Sequence, residues 1–108
     1  MKARLEKEGF SVLQAFDGES AIRLIEREKP VLVILDLIMP KMNGFEVLEA
    51  ISLNPQINAT PVIILSNLAQ DSDVQKAKRL GAAAYFVKVR VSIDDVINKV
   101  KNVIDQKS

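Results

Sequence analysis

A three-layer α/β sandwich on a parallel sheet is the fold class this sequence predicts, and three observations carry the prediction. Two unbroken apolar runs, residues 31–35 and 61–65, have the composition of strands covered on both faces by helices. Segments with apolar residues at helical spacing separate the strand-like runs, so parallel βαβ units with right-handed crossovers are the economical arrangement. The length, 108 residues, suits one domain whose single core removes roughly two-thirds of the unfolded chain's surface from water. No internal repeat, linker or low-complexity stretch interrupts it.

The elements follow in order. Residues 1–8 are good helix formers, and Gly9 stands where a helix end tolerates positive φ, so this reads as the tail of a helix. Residues 10–16 alternate, with Phe10, Val12, Gln14 and Phe16 on one side, which predicts a strand with one partly wet face. Asp17 opens a turn cluster able to cap a helix whose apolar side is Ala21, Ile22, Leu24 and Ile25, and the charged residues 26–29 close it before Pro30. The apolar run 31–35 comes next and ends on Asp36, followed by a loop with Pro40 and Gly44. Phe45, Val47, Leu48 and Ile51 predict a helix stopped by Asn54-Pro55, and residues 56–60 form a polar loop. The second run, 61–65, ends on Ser66-Asn67. Asp71, Ser72 or Asp73 can cap a helix lined by Val74, Ala77 and Leu80 and ended by Gly81. Residues 82–87 predict a short strand ending on Lys88. From Ser92 onward Ile93, Val96, Ile97, Val100, Val103 and Ile104 make the clearest amphipathic helix, with Asp94 and Asp95 in its first turn.

Composition excludes several kinds of chemistry. Fifteen basic residues against fourteen acidic ones, mixed along the chain, argue against direct binding of nucleic acid or a membrane surface. The absence of cysteine removes disulfides and thiolate metal sites, and the absence of histidine removes the commonest general base. Any metal would be a hard cation held by oxygen. The charged start lacks the apolar core of a signal peptide, and no run is long enough to span a membrane. A soluble, cytoplasmic protein is expected.

Three successive strands end on Asp36, Ser66 and Lys88. In a parallel sheet these ends share one edge, and neighbouring strands lie about 4.8 Å apart, so the three side chains can converge. Taken singly, the aspartate reads as a loop residue or helix cap, Ser66-Asn67 as a turn, and Lys88 as a surface lysine. Together they form a carboxylate able to attack phosphorus, an ammonium able to neutralise phosphate oxygens, and a hydroxyl able to donate a hydrogen bond. On spacing alone Tyr85 is a core residue, and Met39 and Met42 are loop packing.

Four stretches carry a family resemblance over essentially the whole chain: residues 16–21 (Phe-Asp-Gly-Glu-Ser-Ala), 33–44 (Val-Ile-Leu-Asp-Leu-Ile-Met-Pro-Lys-Met-Asn-Gly), 61–66 and 80–88. In these it resembles the receiver domain of two-component response regulators, with the flavodoxin-like fold and strand order 2-1-3-4-5. The resemblance implies that Asp36 is the phospho-acceptor, Ser66 the hydroxyl that moves toward the phosphoryl group, Lys88 its ion-pairing partner and Tyr85 the switch aromatic. It also implies Mg2+, held in part by Asp36 and the backbone carbonyl of Ile38. The implied partners are a sensor histidine kinase or phosphotransfer protein and a downstream protein. The latter would meet the face of the fourth helix, fifth strand and fifth helix.

Departures from the family pattern set further expectations. Receivers begin with a strand ending in two acidic residues that hold magnesium, and this sequence starts inside the helix that follows it. The first strand and the usual acidic pair are therefore expected to be absent, as in a fragment or a chain that borrows a strand. Neither Asp17 nor Asp71 and Asp73 stand at replacing positions. Weak phosphorylation of these 108 residues alone is expected. Val89 takes the place of the family's proline, so the Lys88–Val89 bond is expected to be trans. Asn67 replaces the usual small residue beside the hydroxyl.

The leading reading is a phospho-acceptor signalling domain, not an enzyme beyond self-catalysed phosphoryl transfer and dephosphorylation. The alternative is a degenerate receiver acting as a phosphorylation-independent interaction module. An aspartate-nucleophile phosphatase is disfavoured, because it needs a second acid two residues after the nucleophile, where Ile38 stands.

Overall fold

A computed structural model describes residues 2–10, 17–38 and 43–107. Their order is α1 (Lys2–Lys7), α2 (Gly18–Glu28), β1 (Val33–Leu35), α3 (Gly44–Leu53), β2 (Val62–Ser66), α4 (Asp71–Arg79), β3 (Ala84–Val87) and α5 (Ile93–Lys107). The strands pair in parallel in the order β1-β2-β3, with Leu35 opposite Ile64 and Ser66 opposite Val87.

The central strand divides the core into two layers. Side chains alternate across a strand, so Val62 and Ile64 face α2, α3 and α4, where Ile25, Val47, Leu48, Ile51 and Ala77 are buried with them. Ile63 and Leu65 face the other way, onto Leu5 of α1 and Val96, Ile97, Val100 and Val103 of α5. All five residues of β2 are buried. This is the expected three-layer sandwich. Leu5 anchors α1, and the ion pairs Arg4–Asp94 (2.6 Å) and Lys101–Glu8 (2.7 Å) tie α1 to α5 at the surface.

Local chemistry starts and stops the helices. Asp17 caps α2 as expected, accepting the Ser20 N–H at 2.9 Å. The helix ends at Lys29 in the left-handed conformation (φ 46°), whose N–H reaches the Ile25 carbonyl just before Pro30. Asn43 and Glu46 form a reciprocal cap on α3: the Asn43 carbonyl oxygen accepts the Glu46 N–H at 3.0 Å while its amide donates to the Glu46 carboxylate at 2.9 Å. Ser92 caps the first turn of α5 through the Asp95 N–H, at 3.1 Å.

Several boundaries differ from those read off the sequence. The first apolar run pairs over residues 33–35 only, and Val31 is 68% exposed, because the ladder begins where the Val33 N–H reaches the Pro61 carbonyl. Pro61 has no N–H to give, so β2 starts at Val62 and carries on through Ser66. The third strand starts at Ala84 rather than Ala82. The cap of α4 is Gln70, with no side-chain bond, and Asp71 and Asp73 lie in the first turn, where their charge favours the helix dipole. Within the polar loop 56–60, Ile57 is buried and closes the α2–α3 core. Residues 11–16 of the expected strand and Met39 and Met42 lie outside the described residues. No described peptide bond is cis, so Lys88–Val89 is trans as expected.

Candidate functional site

The site lies at the carboxyl ends of the three strands. Asp36 follows β1 directly, and its Oδ1 accepts the Ile38 N–H at 3.0 Å, a short side-chain turn that fixes the carboxylate. Beneath it Leu37 is buried against α3, and its carbonyl accepts the Gly44 N–H at 2.9 Å. The approach is so close that a Cβ at position 44 would stand 2.4 Å from the Leu37 Cα and 2.7 Å from the Asp36 carbonyl oxygen. Glycine is therefore what lets α3 begin on top of the Asp36 loop.

Lys88 comes from the far strand. Its backbone N–H bonds the Ser66 carbonyl at 3.0 Å, which extends the ladder one step past β3, and its side chain crosses the end of β2. The ammonium meets Asp36 Oδ2 at 2.5 Å, a short charge-assisted hydrogen bond. Burial works to raise the Asp36 pKa, but the Ile38 N–H, the Lys88 ammonium and the Ser66 hydroxyl outweigh it and hold the carboxyl below its usual range. The side chains remain 31% and 42% exposed, so the pair adds little to stability and much to keeping a carboxylate ionised in an open position.

Ser66, fully buried at the end of β2, connects the site with Tyr85. Its Oγ accepts the Leu68 N–H at 3.3 Å, and the Leu68 carbonyl accepts the Tyr85 hydroxyl at 2.7 Å. Burial pushes the Tyr85 phenol pKa up, and the negative charges of Asp73 and Asp36 push the same way. Asp36, Ser66 and Lys88 thus gather as expected. Tyr85 joins them through the backbone of Leu68.

Residues 1–101 match the response regulator receiver domain family. The chain belongs to that family. Among relatives, protein PilH of Pseudomonas aeruginosa is 38% identical over 88 residues, covering 82% of this chain and 73% of PilH. The uncharacterized transcriptional regulatory protein YcbL of Bacillus subtilis is 45% identical over 80 residues, covering 74% of this chain. This chain spans about a third of YcbL's length (33%). The receiver domain of the Francisella response regulator 1452 superposes with a TM-score of 0.90 at 30% identity, covering 99% of this chain and 86% of that one. The fold is accordingly the flavodoxin-like fold of receivers.

Receivers typically hold magnesium. In this receiver all fourteen acidic residues fall within the described segments, and no three of them come together as a metal-holding group. Asp36 offers one oxygen to an ammonium and the other to an N–H. Asp17 is spent on capping α2, and Glu46 faces Asn43. This donor set does not fit a magnesium site.

Two contributors escaped the sequence. Leu68 acts through its backbone, and only its place two residues after Ser66 hints at it. Asn43 carried a readable signal, because an asparagine three residues before a glutamate at the head of an apolar helix is a capping pattern. On the same flank, Lys76 of α4 sits 4.5 Å over the Phe45 ring at the start of α3.

Proposed function

We propose that this receiver accepts a phosphoryl group on Asp36 from a phosphohistidine of a sensor histidine kinase or phosphotransfer protein. Its changed state would be presented to a downstream protein on the face of α4, β3 and α5. The contact between Asp36 Oδ2 and Lys88 Nζ at the shared strand edge carries the reading. It sets an ionised nucleophile beside the cation that phosphate oxygens would need.

In the transfer, an Asp36 oxygen attacks phosphorus, the P–N bond to the donor imidazole breaks, and the imidazole leaves with a proton from solvent. Lys88 exchanges its carboxylate contact for a phosphoryl oxygen, so the added negative charge stays paired. The Ser66 hydroxyl can donate to a second oxygen. Its Oγ can donate while still accepting the Leu68 N–H at 3.3 Å, and a shift of the hydroxyl toward that oxygen would lengthen this bond and loosen the Leu68 carbonyl's hold on Tyr85. Tyr85 also lines the groove beside β3, so the site and the partner face are joined by a chain of two hydrogen bonds.

The experiment is intact-mass measurement after incubation with a small phosphoramidate donor. Because the donor set around Asp36 does not fit magnesium, labelling of these 108 residues is weak. Placing a strand that ends in two acidic residues ahead of Met1 raises labelling to one phosphoryl group per chain, and Asp36→Asn abolishes it. Labelling that survives Asp36→Asn overturns the proposal.

A further inference from the structure

A groove of about 520 Å³ runs beside β3. Three consecutive residues, 85–87, line its strand side. Successive side chains of a strand point to opposite faces, so a groove touching three in a row follows the strand's edge rather than either face. Among the described residues β3 is hydrogen-bonded to β2 alone, and in the receiver fold order it is the last strand. Its outer edge is therefore open to a further strand, except at the Val87 carbonyl, which already accepts the Arg90 and Val91 N–H groups at 2.9 and 3.1 Å.

The opposite wall is a polar stripe of α5. Asp95, Asn98, Lys99 and Asn102 recur at spacings of three and four, one face of the helix, while the apolar face of α5 is turned into the core. Arg90, in the turn after β3, closes one end. Neither Arg90 nor Lys99 has an ion-pair partner among the described residues. Two free cations against the one acid, Asp95, give the groove a net positive wall, and the two asparagines add neutral hydrogen-bonding groups.

We propose that the outer edge of β3 takes an extended segment of a partner protein as an added strand, and that acidic side chains on this segment meet Arg90 and Lys99. Edge backbone groups give the affinity, and the charged wall selects the sequence. A helical segment satisfies its own backbone and leaves the strand edge unused. The four residues of β3 set the length at about one short strand. The location coincides with the partner face proposed above, but binding here does not require Asp36 to be phosphorylated.

The test uses the whole chain, nitrogen-15 labelled, with the peptide acetyl-(Glu-Val)3-amide as probe. Saturable amide shifts are expected at Tyr85, Phe86, Val87, Asn98 and Lys99, with slower solvent exchange of the outward β3 amides. Arg90→Glu with Lys99→Glu weakens binding about tenfold. Methylating alternate backbone nitrogens of the peptide, so that its strand donors are lost and its side chains kept, abolishes it. Equal binding of the methylated peptide, equal binding of a (Lys-Val)3 probe, or no saturable shift overturns the proposal. So does sedimentation showing that a second copy of the chain occupies the edge. Binding is measured on the unphosphorylated chain with no phosphodonor present, so failure here and failure of phosphoryl acceptance are read separately.

Discussion

Replacing Gly44 with alanine tests how tightly the fold holds the Asp36 loop. In an unconstrained helix the change would stabilise the protein by about 0.4–1 kcal/mol, because glycine loses more freedom on folding. Here the new Cβ would stand 2.4 Å from the Leu37 Cα, 2.7 Å from the Asp36 carbonyl oxygen and 2.9 Å from the Leu37 Cδ2, against ordinary contact from 3.4 Å. The helix start and the loop must part by about 1 Å. Neither side yields easily, since α3 is held in the core by Val47, Leu48 and Ile51, and Leu37 is itself buried. Overpacking costs about 1–3 kcal/mol, and stretching the Gly44 N–H bond to the Leu37 carbonyl removes about 0.5–1.5 kcal/mol more. The net expectation is a loss of about 2–3 kcal/mol. Urea unfolding followed by circular dichroism reads it directly: with a slope of about 1–3 kcal/mol per molar, the midpoint falls by about 0.7–3 M. The Asp36 and Ile38 amide resonances should move as well. A midpoint equal to or above that of the unchanged chain would refute the reasoning, because it would show that α3 and the loop separate without cost.

Four further outcomes follow from the same structure. Lys88→Ala should raise the Asp36 carboxyl pKa toward the ordinary value of about 4, measured by carbon-13 titration. The depressed folded value stabilises the protein above about pH 4 and is lost as pH falls through it, so the variant should lose less stability on acidification. Tyr85 is the single tyrosine, so ultraviolet titration reports it alone; its pKa should lie above the usual 10, with stability falling as pH rises from about 10 through the folded value. Tyr85→Phe leaves the Leu68 carbonyl without its 2.7 Å partner and should cost about 1 kcal/mol in urea unfolding. Lys29→Gly relieves a left-handed residue (φ 46°) at the end of α2 and should raise stability by about 0.5–1 kcal/mol on the same measurement.

What was legible in the sequence was what depends on apolar pattern and on motif. The run of β2, the amphipathic stripe of α5 and the cap by Asp17 could each be read locally, and the ends of the apolar runs pointed to Asp36, Ser66 and Lys88. What escaped depends on register or on backbone atoms. Val31 is as apolar as Val33, yet pairing with β2 starts at Val33, so composition could not set the boundary. Ile57 sits in a polar stretch and is buried only because the turn after α3 folds it back under the core. Leu68 links Ser66 to Tyr85 through its N–H and carbonyl, groups that every residue carries and no pattern marks. Gly44 was legible as a loop glycine, but the reason for it, a helix resting on the Leu37 backbone, required the packing itself.

Site-resolved mass spectrometry after phosphoramidate treatment reads phosphoryl acceptance at Asp36. One phosphoryl group is expected on the peptide containing Asp36 once a strand ending in two acids precedes Met1, with weak labelling without that strand and none in the Asp36→Asn variant. Labelling at another residue, or no labelling of the extended chain, would contradict it.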